Sequence, residues 1–559
     1  MRRACFTFAL VSIAAAVRGA DSPLPQFADI ASQAGVAFRH TNGASVDKHL
    51  VETMGSGGLF FDYDSDGWID IFLVDGGSRA DANVARNARH RLYRNSGGGT
   101  FVDVTERSGI RHREYGMGAC AGDVDGDGHA DIYITNDGPN VLYRNRGDGT
   151  FVDVTAGARV GEPRWSASCA FADLDRDGDL DLWVVNYVNA DRVHSPFCGD
   201  ARAGVRFYCH PLRYDPLPNT VYRNDGGGVF TDVSTASGVG ALRANGMGVV
   251  ITDNDNDGLP DVFVANDTMP NFLFRNTGNL RFVESGLASG IAVGADGKAR
   301  AGMGIDTGDY DSDGRLDLVI TNLDFEMHTV HRGLERGLFA YSTIESGIGY
   351  PTLPFVGFGV AFLDFDNDAQ LDIAIANGHI LDNAPQYRPG SIYAQRKLLF
   401  RNGAMHRFIE VSRMTGPAFA AARVGRGLAT GDIDNDGDLD LLVTNNGQAA
   451  ELLRNDGGNR ANALVVRLRG SGGNTDAIGA RVRVTSGSRT QMRDIKAGTS
   501  YLSQNDLRAH FGLGTAITAE RVEVQWPSGR AESVANVPAN QIIDIAEGKG
   551  VVARRPFVR

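Results

Sequence analysis

Asp432-Ile433-Asp434-Asn435-Asp436-Gly437-Asp438-Leu439-Asp440 runs directly into Leu441-Leu442-Val443, a carboxylate-bearing loop followed by an apolar run. The form D-x-D-x-D-G-x-x-D occurs seven times in the chain. Its acidic positions are Asp62, Asp64, Asp66 and Asp70; Asp123, Asp125, Asp127 and Asp131; and Asp173, Asp175, Asp177 and Asp181. They continue with Asp253, Asp255, Asp257 and Asp261; Asp309, Asp311, Asp313 and Asp317; Asp364, Asp366, Asp368 and Asp372; and Asp432, Asp434, Asp436 and Asp440. Only the sixth copy departs, with Ala369 where the others carry glycine.

Carboxylates at positions 1, 3, 5 and 9 of a tight loop suit a hard cation that takes six to eight oxygens, and calcium fits better than magnesium or zinc. Glycine at position 6 permits the left-handed turn, and the carbonyl of position 7 offers a further oxygen. Up to seven calcium ions are therefore expected. An EF-hand would need a bidentate Glu at position 12 and flanking helices. Here position 12 is Leu73, Ile134, Val184, Val264, Ile320, Ile375 or Val443. A short run apolar on both faces reads as a buried strand, so each loop joins two strands. Without the position-12 carboxylate the sites should be weak, about 10⁻⁴–10⁻³ M, as in extracellular modules, and mainly structural.

Two further signatures keep step with the loop. One resembles Leu142-Tyr143-Arg144-Asn145 and the other Phe101-Val102-Asp103-Val104-Thr105, with a glycine turn between them. Ahead of each loop stands a small-residue segment such as Gly116-Met117-Gly118-Ala119. Each unit thus holds four strands, and such units at a period of 50–80 residues indicate an all-β fold, a seven-bladed β-propeller with calcium-binding loops. The small-residue strand should line the channel, where glycine allows close approach. The Phe-led segment Phe27–Ala31 has no blade before it, so it should complete the seventh blade and close the ring. Longer insertions fall at Gly76–Arg91, Asn186–Asn219 and Asn377–Arg396, and irregular loops on a rigid scaffold are where binding usually resides.

The chain has 559 residues and a net charge of −13. Twenty-eight of its 68 acidic residues occupy the four loop positions, so the acidity is mostly ligand charge and does not suit nucleic acid. Residues 1–20 read as a secretory signal that would remove Cys5, and no later apolar run could span a membrane. Four cysteines remain. Cys198 and Cys209 share one insertion and should form a disulfide in an oxidising compartment. Cys120 and Cys169 read as buried thiols. After the propeller (21–460), residues 461–548 read as a separate small β-sandwich, and 549–559 as a loose basic tail.

The seven loops resemble FG-GAP/VCBS repeats. Gly498-Thr499-Ser500-Tyr501-Leu502-Ser503-Gln504-Asn505, with His510-Phe511-Gly512-Leu513-Gly514 and Trp526-Pro527-Ser528-Gly529, resembles the ASPIC/UnbV domain. The combination is similar to cartilage acidic protein 1-like proteins. That resemblance implies an extracellular calcium-binding propeller with a terminal β domain, the loop aspartates as ligands, and no enzyme. The sixth loop, with Ala369, should be the weakest site.

The function expected is an exported binding or adhesion scaffold, a monomer whose partner is an extracellular protein or glycan. The alternative is a secreted lyase or hydrolase with its site at the channel mouth. His510 reads as a packed histidine, Asn377-Gly378-His379 as a possible contributor to a pocket, Arg146-Gly147-Asp148 as a hairpin tip, and Asp267, Thr268 and Asn271 as turn-formers. No catalytic residue is assigned.

Overall fold

The computed structural model describes residues 23–111, 114–191, 194–386 and 389–558. The expected signal segment, residues 1–20, therefore lies outside the described residues. Seven four-strand units follow one another along the chain. The second is typical. Tyr115–Gly122, Asp131–Asp137, Val141–Asn145 and Phe151–Asp153 pair in that order, all antiparallel. Each loop's ninth residue opens the buried strand that follows: Asp70, Asp131, Asp181, Asp261, Asp317, Asp372 and Asp440. No helix leaves any of these loops, which removes the EF-hand reading.

Innermost strands touch in ring order, and the last, Gly425–Gly431, meets the first, Gly58–Phe61. This is the architecture of a β-propeller. Closure is made as expected: Gln26–Asp29 adds to the outer edge of the final unit, with Phe27 opposite Asn455. A closed ring leaves no long sheet edge open to another chain.

The C-terminal region is a pair of four-stranded sheets. One runs Ala509–Gly514, Asn462–Arg469, Gln541–Ala546, Gly550–Pro556; the other Arg489–Asp494, Arg481–Ser486, Thr518–Gln525, Ala531–Pro538. Their inner faces share Val466, Val482, Val522, Trp526 and Ile543, and the same apolar cluster continues into Cys120, Val124, Phe171 and Leu180 of the propeller. The two sheets share one apolar cluster with the propeller rather than a core of their own.

Two further expectations are corrected. The described part of the expected basic tail (549–559), residues 549–558, is not loose. Gly550–Pro556 pairs with Gln541–Ala546, Phe557 is buried, and the Val558 amide donates to the Asn435 carbonyl at 2.8 Å. The basic side chains of Arg554 and Arg555 suggest a solvated tail, but they stand on an edge strand held by backbone pairing along one side. Cys120 and Cys169 are not thiols but a disulfide joining the inner strands of adjacent units. They lie 49 residues apart, about one repeat, and the ring sets successive inner strands side by side. Cys198–Cys209 forms as expected.

The channel is filled from the C-terminal side. The segment Ala497–Asp506 enters it and supplies partners to inner strands all round the ring. Phe171 N donates to Ala497 O (3.0 Å), Ser500 and Ile305 exchange two backbone bonds (2.8 and 3.0 Å), and Val360 N donates to Ser500 Oγ (3.0 Å). Ser503–Gln504 lies parallel on Gly58 and Leu59. Such bonds satisfy buried backbone groups that an inner edge would otherwise leave unpaired. Tyr501 is fully buried, its hydroxyl donating to Met54 O at 2.7 Å and its ring 4.9 Å from that of Phe358. The glycines of the small-residue strands are explained here. A Cβ on Gly118 would stand 2.9 Å from Leu502, and one on Gly57 2.3 Å from the Leu502 carbonyl.

Candidate metal centres

The seven acidic loops lie on the face that receives the C-terminal sandwich, and each repeats one hydrogen-bond pattern. The position-1 carboxylate accepts the amide of the turn residue at position 6: Asp62 from Gly67 (3.0 Å), Asp253 from Gly258 (3.0 Å), Asp432 from Gly437 (3.0 Å). The sixth loop does the same with Ala369 N (2.9 Å), and Ala369 takes φ 70°. An alanine thus holds the left-handed turn, at a cost of about 1 kcal/mol. Position 5 accepts from the amide of position 7, as in Asp127 from His129 (3.0 Å) and Asp368 from Gln370 (2.9 Å).

This folding gathers the expected ligands. One oxygen from each of Asp62, Asp64 and Asp66 lies within 4.8 Å of the others, and the same holds for Asp123, Asp125 and Asp127 and for Asp253, Asp255 and Asp257. In the third and fifth loops the gathered sets are Asp173, Asp175 and Asp181, and Asp309, Asp311 and Asp317. The sixth and seventh loops hold their carboxylates close enough to repel: Asp368 and Asp366 raise Asp364, and Asp434 raises Asp436, each after burial itself.

The test of fit is the position-3 aspartate. Its Oδ1 is buried without a hydrogen-bond partner in Asp64, Asp125, Asp175, Asp255, Asp366 and Asp434, six of the seven loops. Asp62 and Asp173 add an orphaned position-1 oxygen. The other oxygen of position 3 is often spoken for. Arg94 forks onto Asp64 Oδ2 (2.5 Å) and Asp66 Oδ2 (2.6 Å), Arg332 onto Asp311 (2.5 Å) and Asp313 (2.9 Å), and Arg401 onto Asp366 (2.6 Å) and Asp368 (3.1 Å). These are the arginines of the Tyr-Arg-Asn signature, whose role the sequence did not disclose. They neutralise the outer oxygens, while the inner ones face a hard-oxygen cage. Residues of this kind fit a calcium ion.

Position 9 has a second duty. Asp70 Oδ2 accepts from Tyr63 N (3.1 Å) and Oδ1 from Asn95 N (2.7 Å); Asp131 accepts likewise from Val124 (3.0 Å) and Asn145 (2.7 Å). The asparagine so fixed turns its own amide across the seam. Asn95, Asn145, Asn224, Asn276, Asn402 and Asn455 each donate at 2.8 Å to a position-2 carbonyl of the preceding unit's loop: Ile433, Tyr63, Val124, Leu174, Tyr310 and Phe365. Asn95 to Ile433 closes the ring. The fifth unit has Gly333 instead, and its seam is bridged by Asn254 Nδ2 to Gly337 O at 3.3 Å. The blades are therefore stitched by asparagine amides that the position-9 carboxylates orient.

Burial pushes these carboxyls upward: Asp70 to about 9, Asp131, Asp261 and Asp432 to about 8, and Asp173 to about 7. Removal from water disfavours the charged form of a carboxyl, and here it outweighs the nearby arginines.

The sandwich sits directly on this chemistry. Arg467 approaches Asp62 Oδ2 at 3.2 Å, Thr475 Oγ1 donates to Asp123 Oδ2 (2.5 Å), and Arg481 to Asp253 O (2.8 Å). Arg508 donates to Asp432 O (2.8 Å) and Asn435 Oδ1 (2.6 Å). A Cβ on Gly512 would meet Asp364 Oδ2 at 2.1 Å, so this glycine is required by close approach. His510 is buried with Nε2 3.1 Å from Gly437 O, and burial lowers it to about 4; it is a packed histidine.

The remaining candidates are structural. His379 Nδ1 accepts from Leu381 N (2.9 Å), and its Nε2 lies 3.4 Å from Asp324 Oδ2, both groups buried. Arg146 to Asp148 form a hairpin tip, closed by Arg146 N to Thr150 O (3.0 Å). Asn271 Oδ1 accepts from Asn266 N (3.0 Å), Thr268 takes φ 61°, and Asp267 accepts the Tyr187 hydroxyl (2.7 Å).

The pattern of the FG-GAP-like repeat family matches residues 62–134, 123–184 and 253–320, and that described as ASPIC and UnbV matches 470–552. Within this β-propeller fold, three stretches thus match FG-GAP-like repeats and one C-terminal stretch matches ASPIC and UnbV. It is similar to cartilage acidic protein 1 of Mus musculus, 31% identical over 320 residues, which are 56% of this chain and 47% of that protein. The Xenopus tropicalis protein of the same name is 30% identical over 333 residues, 57% and 47% of the two chains. The chain thus matches about half the length of these relatives. A solved Agrocybe aegerita lectin structure, on recognition of non-reducing terminal N-acetylglucosamine, aligns over 71% of this chain and 93% of its own, with 14% identity and TM-score 0.37. A likeness at that level carries no functional weight.

Proposed function

We propose that the chain is an exported calcium-binding scaffold that grips an extracellular protein or glycan, with calcium mainly structural. The observation that carries the calcium part is the repeated orphaned Oδ1 of the position-3 aspartate, buried in six loops, while in the first and sixth of the seven an arginine holds its partner oxygen. Export is supported by the two disulfides, which persist in oxidising compartments. Among the described residues no helix is long and apolar enough to cross a membrane.

Binding is preferred to catalysis at the channel mouth because both mouths are filled. Tyr501 enters from the sandwich side. On the other side the second and third insertions and the Asn42–Met54 segment close over Tyr187 and Tyr208. Lys48 Nζ meets Asp382 (2.5 Å), Ser195 Oγ donates to Lys48 O (3.2 Å), Asn383 Nδ2 to Arg206 O (3.3 Å), and Tyr208 OH to Glu52 (3.1 Å). These insertions expose Phe197, Leu212 and Ile392, large apolar side chains suited to contact.

The experiment is elemental analysis of the purified mature chain, with a glycan array and pull-down run with and without chelator. Several equivalents of calcium and a partner retained by calcium-loaded protein are expected. A stable protein free of divalent ions would overturn the calcium reading. Turnover of a polysaccharide would overturn the scaffold reading.

A further inference from the structure

The first insertion, Gly76–Arg91, is not used by the calcium cages, and it builds a cavity of about 510 Å³ with the turn after Phe101–Asp103. Its lining includes Arg86, Arg89 and Arg111, with Glu106 as the carboxylate, over Ile110 and Ala85. On a chain of net charge −13, three guanidinium groups on one open cavity are unusual. Many other arginines are committed to acids, as Arg94 and Arg401 are to the loops. These three are not. Arg86 bonds to Asn83 Oδ1, Arg89 to the carbonyls of Arg86 and Ala88, and Arg111 to that of Ile110. Among the described residues none of them has a carboxylate partner.

Their backbones are nevertheless held firmly. Arg89 N donates to the buried Asp75 Oδ2 at 2.8 Å. The Tyr143 hydroxyl of the neighbouring unit accepts from Arg111 N (3.0 Å) and donates to Arg111 O (2.8 Å). Arg86 lies on the short helix Ala82–Asn87, whose first amides are capped by Asp81 Oδ1 at 2.7 and 3.3 Å. The guanidinium forks are thus exposed, unpaired with acid, and mounted on fixed points. Fixed backbone under the three side chains distinguishes them from a flexible basic tail and lowers the ordering cost of holding a ligand.

We infer that this cavity binds an acidic polysaccharide, through carboxylate or sulfate groups taken by the forks of Arg86, Arg89 and Arg111. The planar fork matches both oxyanions with paired hydrogen bonds. The volume lies within the range of pockets that enclose one or two sugar rings, about 300–1,000 Å³. The apolar floor of Ile110 and Ala85 suits a pyranose face. The inference rests on the binding-scaffold reading and names a ligand class for it.

The test is calorimetric titration of the calcium-loaded mature chain with four probes: a sulfated oligosaccharide, an oligogalacturonate, a neutral oligosaccharide of equal length, and inorganic sulfate. Binding of an acidic oligosaccharide but not the neutral one is expected, weakening as NaCl rises. The triple variant Arg86→Gln, Arg89→Gln, Arg111→Gln should lose at least tenfold in affinity. The control Arg146→Gln, Arg521→Gln, Arg530→Gln removes the same charge elsewhere and should change binding less than twofold. Equal losses in the two variants would mean non-specific attraction and would overturn the proposal. So would inorganic sulfate binding as tightly as the oligosaccharide. A wild-type chain that ignores both acidic probes, yet retains a protein or neutral glycan in the pull-down, would sink this site and leave the scaffold reading standing. Unchanged melting temperatures would show that both variants fold.

Discussion

Replacing Asn145 by Ala should open the seam between the first and second blades. The side-chain amide donates to Tyr63 O (2.8 Å) and Ala130 O (3.1 Å), and its Oδ1 accepts from Gly147 N (3.0 Å). Asn145 is fully buried, so water cannot replace it. Leaving buried carbonyls without donors costs about 1–3 kcal/mol each, so about 3 kcal/mol is expected for the pair. That corresponds to an increase on the order of 10²-fold in the local opening constant. Hydrogen exchange read at Tyr63–Asp70 and Asp131–Asp137 reports this directly, because such openings need not unfold the ring. Asn145→Asp should be worse, since a carboxylate cannot donate and would face the buried Asp131. In the wild type, the seam at Gly333 lacks the amide, and its 3.3 Å substitute should exchange fastest of the seven. Exchange at the Asn145 seam within threefold of wild type, with an unchanged denaturant midpoint, would refute the stapling argument.

Other outcomes follow from the same geometry. Chelation should lower the melting temperature, and the effect should grow with pH. Burial raises Asp70, Asp131 and Asp261 to about 8–9 in the cation-free fold. The cation-free fold therefore holds protons that the unfolded chain has lost above about pH 4. Its stability is full below that value and falls as pH rises toward 9. Calcium must displace those protons, so the melting difference between loaded and chelated protein should widen from pH 5.5 to 8.5; a constant or shrinking difference contradicts the assignment. Removing the Cys120–Cys169 disulfide, which spans 49 residues, should cost about 4 kcal/mol by chain entropy, read as a lower denaturant midpoint. Chelation should also expose the linker at Asn459, whose side chain donates to Asp436 Oδ2 at 2.6 Å, to limited proteolysis, whereas Asp148 on an exposed hairpin should be cut equally in both states.

The repeat made much of this protein legible from its residues. Seven in-register aspartate loops, an aliphatic position 12 and a four-strand period are local patterns, and local patterns dictate strand and turn without knowledge of distant contacts. Phe27 could be placed in the last blade because the period left it no other partner. What crosses between repeats was hidden. The asparagine of Tyr-Arg-Asn looks like a strand-end residue until the preceding blade's carbonyl is set 2.8 Å from it. Cys120 and Cys169 look like two isolated thiols until the ring lays their strands together. Gly498–Asn505 is recognisable as a motif, but that it fills the channel depends on where the sandwich docks. The sequence encodes periodic chemistry along the chain; only closure of the ring fixes which periods become neighbours, because those contacts join residues separated by a whole blade or more.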